Sequence, residues 1–105
     1  MDITYQLTKP LNIVAALRQM GYHPIYDRRS QHESWVRTLG RNFYPRFHLY
    51  VTGSSTAEAE LSLHLDQKQF TIQAVKSRHG GEYHGPVVEE EGARIKRWLQ
   101  YFMSI

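Results

Sequence analysis

Two short segments carry imidazoles, a carboxylate and a guanidinium at spacings that bring them onto one surface. They are Arg46-Phe47-His48-Leu49-Tyr50-Val51 and Leu61-Ser62-Leu63-His64-Leu65-Asp66. Both alternate apolar with polar side chains, the pattern of a β-strand with one face buried. Phe47, Leu49 and Val51 then share one face, and Leu61, Leu63 and Leu65 join them in a core. Arg46, His48, Tyr50, Ser62, His64 and Asp66 are left on the other face. His64 and Asp66, two residues apart, are same-face neighbours about 7 Å apart along the strand. This set is suited to acid–base chemistry: Asp66 orients one ring and the other ring exchanges protons, making His48, His64 and Asp66 the candidate catalytic groups. The competing reading is a polar sheet face without a task, on which His, Tyr and Ser are equally at home.

Two further segments carry reactive or binding side chains. Arg78-His79-Gly80-Gly81-Glu82-Tyr83-His84-Gly85 reads as a loop whose glycines let backbone come close to a ligand, with His79, Glu82 and Tyr83 as ligand-binding candidates. His79, Glu82 and His84 are ligand types that zinc accepts, but their spacing matches no zinc signature, so neither a metal site nor a cofactor is expected. The loop runs into a helix N-terminus, where free N–H groups attract anions. Pro86 removes one donor there, and Glu89, Glu90 and Glu91 repel anions, which argues against a phosphate pocket. The second segment is Arg28-Arg29-Ser30-Gln31-His32, flanked in the sequence by Lys9, Arg18, Arg37 and Arg41 and set between Tyr26 and Trp35. Such a turn can contact phosphates and stack a base. Neither a Ser-His-Asp order nor a nucleophile elbow is readable along the chain.

The elements that position these groups follow from periodicity. Ile3, Tyr5 and Leu7 alternate with polar residues and suggest a short N-terminal strand. Thr8 is placed to cap a helix with Pro10 in its first turn and an Ile13, Leu17, Met20 stripe. Gly21 suits a left-handed helix end, with Tyr22 packing back and Pro24 enforcing the stop. Glu33 to Leu39 is rich in β-formers, and Gly40-Arg41-Asn42 reads as a turn. The two histidine-bearing strands are joined by Thr52-Gly53-Ser54-Ser55-Thr56, a loop of hairpin length, which makes them antiparallel. Phe70 to Val75 alternates as well, as a strand or an ordered loop. Gly85-Pro86 opens the last helix, where Val88, Gly92, Ile95, Leu99 and Phe102 form one stripe. Gly92 on that stripe lets helix and sheet approach closely, and Glu90 and Arg94 form an i, i+4 pair worth about 0.3–0.5 kcal/mol. The expected fold is α+β: a two-layer sandwich with a three- to four-stranded antiparallel sheet and two helices on one face, in helix, strand, strand, strand, helix order.

At 105 residues the chain makes one domain, 1–105. Its 41% hydrophobic and 22% charged content is that of an ordinary globular protein. No apolar run approaches the roughly 20 residues of a membrane helix, so no membrane partner is expected. Met1-Asp2-Ile3-Thr4 has neither the basic nor the apolar region of a signal peptide. Zero cysteines exclude a disulfide framework, a thiolate zinc site and a Cys nucleophile, and fit a bacterial-type cytoplasm. The net charge of +3 permits a polyanion partner without demanding one.

Tyr44 to Tyr50, Leu63-His64-Leu65-Asp66-Gln67-Lys68 and Gly81 to Glu91 together resemble a small bacterial family of uncharacterised proteins, over about half the chain, Tyr44 to Trp98. That resemblance implies that His48, His64, Asp66, His79, Glu82 and Tyr83 belong together. The order helix, Gly21-Tyr22, strand, basic turn and a histidine entering the next strand also resembles the HicA-type toxins, small mRNA-cleaving proteins of double-stranded-RNA-binding-like fold. That likeness implies His32 as a catalytic residue.

These observations converge on a small module that binds RNA or another polyanion through an open sheet face, with Arg28, Arg29, Arg46, Tyr50 and Arg78 as the nucleic-acid contacts. The alternative is an enzyme or small-ligand protein with a His48, His64, Asp66, His79 and Glu82 pocket. A third reading is an interaction module whose sheet meets a protein partner or a second copy in a homodimer.

Overall fold

The alternation of the histidine-bearing segments is realised in the computed structural model, which describes residues 1–26, 33–67, 81–82 and 84–105, with positions 33, 81 and 82 as backbone. The two segments are β4 (Arg46–Ser54) and β5 (Glu58–Asp66), paired antiparallel. Their register sets Phe47 opposite Leu65, Leu49 opposite Leu63 and Val51 opposite Leu61. On the other face it sets Arg46 opposite Asp66, His48 opposite His64 and Tyr50 opposite Ser62. A register shift between Val51 and Gly53 precedes the hairpin turn.

Three more strands extend this pair: β1 (Asp2–Gln6), β2 (His23–Ile25) and β3 (Glu33–Thr38). All pairings are antiparallel, and the sheet order is β1-β5-β4-β3-β2. A two-residue strand, β6 (Gly81–Glu82), pairs with Leu65 and Asp66. Since β4 occupies one edge of β5, β6 and β1 share the other edge end to end. The helices are α1 (Ile13–Gln19) and α2 (Pro86–Ser104). The α+β class with an antiparallel sheet and two helices is therefore as expected. The strand count and the helix-first order are not: five strands stand in line, and the chain begins with one of them. Two short edge strands account for the difference. In β1, Ile3 pairs with Leu61 and is buried in the core. In β2, Pro24 lies on the sheet edge, where a missing N–H breaks no ladder.

The odd-numbered face of the sheet carries the core. Trp35, Phe47, Leu49, Leu61, Leu63 and Leu65 pack with Ile3, with Ala16, Leu17 and Met20 of α1, and with Val88, Ile95, Leu99 and Phe102 of α2. Both helices thus cover one face. Each fully buried aliphatic or aromatic side chain contributes about 1.5–3 kcal/mol relative to exposure.

The cap of α1 differs from the expectation. Asn12, not Thr8, caps the helix, its Oδ1 accepting from Ala15 N at 3.1 Å. Asn is among the strongest capping residues and stands directly before the apolar run, so it shortens the helix to seven residues. The C-terminal end follows the sequence reading. Gly21 has φ 99°, its N–H bonds Arg18 O at 3.1 Å, and Tyr22 N–H bonds Leu17 O at 2.9 Å. This is a Schellman closure with Tyr22 fully buried behind it. On α2, a Cβ at Gly92 would meet the thioether end of Met1, with Cε at 2.9 Å, so the small residue admits close approach to the N-terminus.

The expected Glu90–Arg94 pair is not formed. Glu91, with 3% exposure, takes the role instead, because it faces inward where three donors reach it. Arg94 Nε donates to Oε1 at 2.6 Å, the Tyr22 hydroxyl to Oε2 at 2.6 Å, and Arg37 Nη1 lies 3.4 Å away. Arg94 Nη2 also donates to Met20 O at 2.8 Å, tying α2 to the end of α1. Burial and then the Glu91 carboxylate push the Tyr22 phenol well above its ordinary value, since both disfavour a second negative charge. No helix among the described residues is long and apolar enough to cross a membrane.

Candidate functional site

The β4–β5 register creates the site. Directly opposed residues on one face have Cβ atoms about 4.5–5.5 Å apart. His48 and His64 are such a pair, and their ring centroids lie 4.8 Å apart. Asp66 follows His64 by two positions, so it lies on the same face at the end of β5. Its carboxylate lies between the two rings: Oδ1 is 2.9 Å from His64 Nε2, and Oδ2 is 3.2 Å from His48 Nδ1. Arg46 Nε, opposite on β4, lies 3.3 Å from Oδ2. Tyr50 stacks on His48 at 4.5 Å and on His64 at 5.6 Å.

A fourth polar group comes from β3. Ser34 Oγ hydrogen-bonds His48 Nε2. Ser34 pairs with Tyr50 in the β3–β4 ladder, diagonal to His48 and on the same face. An ionised carboxylate only accepts, so both ring nitrogens facing Asp66 carry their protons. In the neutral ring with its proton on Nδ1, His48 Nε2 accepts a hydrogen bond from the Ser34 hydroxyl. Burial opposes the charge on Asp66, but the hydrogen bonds from His48 and His64 outweigh it and hold the carboxyl well below the usual carboxylate range.

The face was expected to be open to solvent, and at its centre it is closed. His48 and His64 are each 7% exposed, and Ser34 and Val36 beside them are buried too. The rings lie against each other and against Tyr50, so little of either reaches water. This is a buried polar cluster on the side of the sheet away from the helices.

Of the sequence-derived candidates, Arg46, His48, Tyr50, His64 and Asp66 come together. Arg28, Arg29, His32, Arg78, His79 and Tyr83 lie outside the described residues, as does the segment Phe70 to Val75. Glu82 is described only by its backbone, which pairs with Leu65 and brings the chain back beside the Asp66 end of β5. His84 is exposed just ahead of α2. Two arginines that flank the basic segment in the sequence lie on the helix side of the sheet: Arg37 binds Glu91, and the Arg18 guanidinium lies 5.7 Å over the Trp35 ring.

Sequence reasoning missed Ser34 and Glu91. The β-forming run around Trp35 signalled a strand, yet only its pairing with β4 shows that Ser34 meets His48. Glu91 sits one turn before Ile95 on the stripe side of α2, the one signal that could have singled it out from Glu89 and Glu90.

Chemically, Ser34, His48, Asp66 and His64 form a continuous chain of hydrogen bonds along which a proton can pass. The donor atoms of His48, His64 and Asp66 all lie within 4.8 Å of one another, and among the described residues these three form the group that could hold a metal ion. Comparison with known proteins finds no match to a family model, to a curated protein or to a solved structure.

Proposed function

We propose that the protein binds a small molecule at the His48–Asp66–His64 cluster and exchanges a proton with it. One observation carries the reading: two buried imidazoles share a single ionised carboxylate on the face that packs no helix. Burying this many polar groups brings no gain in stability over an apolar patch of the same shape. Such clusters concentrate at functional sites. In this reading Asp66 orients both rings, Ser34 and Asp66 hold His48, and His64 exchanges the proton. The sequence-derived ligand contacts His79, Glu82 and Tyr83 belong to the same reading, and the backbone of Glu82 pairs with Leu65.

The test is an NMR screen of a small-molecule library, read on the imidazole resonances of the full chain. Hits should perturb His48 and His64 together and lose their effect in a folded His64→Ala variant. A library that leaves both rings unmoved would end this reading.

Nucleic-acid binding is the second reading. It is favoured by exposed aromatics close to basic residues in the sequence: Tyr26 at 88%, two positions before Arg28, and Phe43 at 78%, two positions after Arg41. The Arg46 guanidinium also lies 4.6 Å over the Tyr44 ring. Arg28, Arg29, Arg46, Tyr50 and Arg78 would carry the contacts. Retention on RNA at low salt should then fall steeply as salt rises. No retention even at low salt removes it.

A further inference from the structure

We propose that His48, His64 and Asp66 bind one divalent transition-metal ion of the zinc type. The inference rests on reading this cluster as the functional site, and it names a ligand for that site.

Geometry is the first argument. Zinc takes imidazole nitrogen and carboxylate oxygen at about 2.0–2.2 Å, which places the donors of a tetrahedral ion about 3.4 Å apart. One donor pair already stands near that separation, His64 Nε2 to Asp66 Oδ1 at 2.9 Å, and His48 Nδ1 lies 3.2 Å from the other oxygen of the same carboxylate, Oδ2. The widest separation in the set is no more than 4.8 Å. The three ligands come from two adjacent strands in fixed register, so the backbone is already arranged.

The surroundings supply the second argument. Metal-bound histidines donate a hydrogen bond from their other ring nitrogen to a fixed partner, and metal-bound carboxylates keep an outer hydrogen bond. Ser34 Oγ stands at Nε2 of His48, the nitrogen left over when Nδ1 is the ligand. A hydroxyl both donates and accepts. Ser34 therefore serves the metal-free tautomer by donating to Nε2 and the metal-bound one by accepting from it. Arg46 Nε contacts Oδ2 of Asp66, leaving Oδ1 for an ion.

Donor chemistry sets the class of ion. Two imidazoles and one carboxylate favour zinc, nickel, cobalt, iron or copper over magnesium and calcium, which prefer all-oxygen shells. Three protein ligands leave one position of a four-coordinate ion for water or a substrate atom, as in catalytic rather than structural zinc sites. This matches the small-molecule reading of the cluster.

The test uses the full chain stripped of metal with chelator and titrated calorimetrically with zinc chloride. One equivalent should bind at micromolar affinity or tighter, and cobalt(II) should give the intense visible absorption of a tetrahedral site. His48→Ala, His64→Ala and Asp66→Ala should each lose at least a hundredfold in affinity, and Ser34→Ala about tenfold. His23→Ala and His84→Ala, at exposed histidines, should bind as the parent does. Should a ligand variant fail to fold, the parent decides alone: zinc must shift the imidazole resonances of His48 and His64 and leave those of His23 and His84 in place. Zinc binding no tighter than millimolar, or binding that survives His64→Ala, overturns the proposal. Library compounds that still perturb both rings in the presence of chelator would keep the small-molecule reading while the metal is rejected.

Discussion

His48 and His64 face each other across β4 and β5 with ring centroids 4.8 Å apart, and one carboxylate binds both. That sharing makes Asp66 the keystone of the cluster. Removing it in Asp66→Ala leaves two buried ring N–H groups and Arg46 without their acceptor. Hydrogen bonds to a charged group contribute about 1.5–3 kcal/mol each, and Arg46 can regain water, so a loss of about 3 kcal/mol is expected. Urea unfolding of the two proteins measures it. A loss within 0.5 kcal/mol, on the order of a surface substitution, would show that the carboxylate is not engaged.

Glu91 anchors the helix side in a similar way. Glu91→Ala strips the acceptor from Tyr22, Arg94 and Arg37. Breaking a buried pair costs about 3–5 kcal/mol. Both arginines are partly exposed and rehydrate, so the expected loss is nearer 2–3 kcal/mol on this scale. Denaturant midpoints check it, with Glu90→Ala, on the exposed side of α2, as a near-neutral companion.

Tyr22 adds a pH signature. Its folded-state ionisation lies above that of an unfolded tyrosine, about 10. A raised folded value means that the contribution is complete below pH of about 10 and is lost as pH rises above that, because the unfolded phenol ionises first. Tyr22→Phe removes both the bond to Glu91 and this linkage. It should cost about 1.5 kcal/mol at neutral pH, and its deficit relative to the parent should shrink above pH of about 10. Denaturant titrations from neutral to alkaline pH give the comparison, and a constant deficit throughout would contradict the assignment.

Gly21 stands at φ 99° in the α1 closure. A Cβ there meets only the Arg37 side chain, at 3.6 Å and beyond, so the cost of Gly21→Ala is conformational rather than steric. It should lower stability by about 1–2 kcal/mol. Gly40 has ordinary φ and open space around it, so Gly40→Ala should leave the thermal midpoint nearly unchanged.

Leu49 and Leu63 oppose each other beneath the histidines and are fully buried. Leu63→Ala should cost about 2–5 kcal/mol through lost burial and a residual cavity. Calorimetric unfolding tests this, and the expected fall in midpoint should exceed that of Gly40→Ala or Glu90→Ala.

The alternation in Arg46–Val51 and Leu61–Asp66 was enough to divide core from site, because a strand sends successive side chains to opposite faces whatever else the chain does. Gly21 and Pro86 likewise marked helix ends through their own backbone preferences. Local rules could not choose between Thr8 and Asn12 as caps, since both have the right chemistry and only the start of the packed turn separates them. They suggested a strand at the N-terminus but could not place it beside β5, nor β2 beside β3, because short edge strands owe their pairing to their neighbours.

What the chain determined by itself was which residues share a face. Tertiary structure decided which of them touch. The pairing of His48 with His64, the arrival of Ser34 from a third strand, the closing of the face around the rings and the choice of Glu91 over Glu90 all depend on register and helix placement. Those are set by the packing of distant segments, and no spacing along the sequence encodes them.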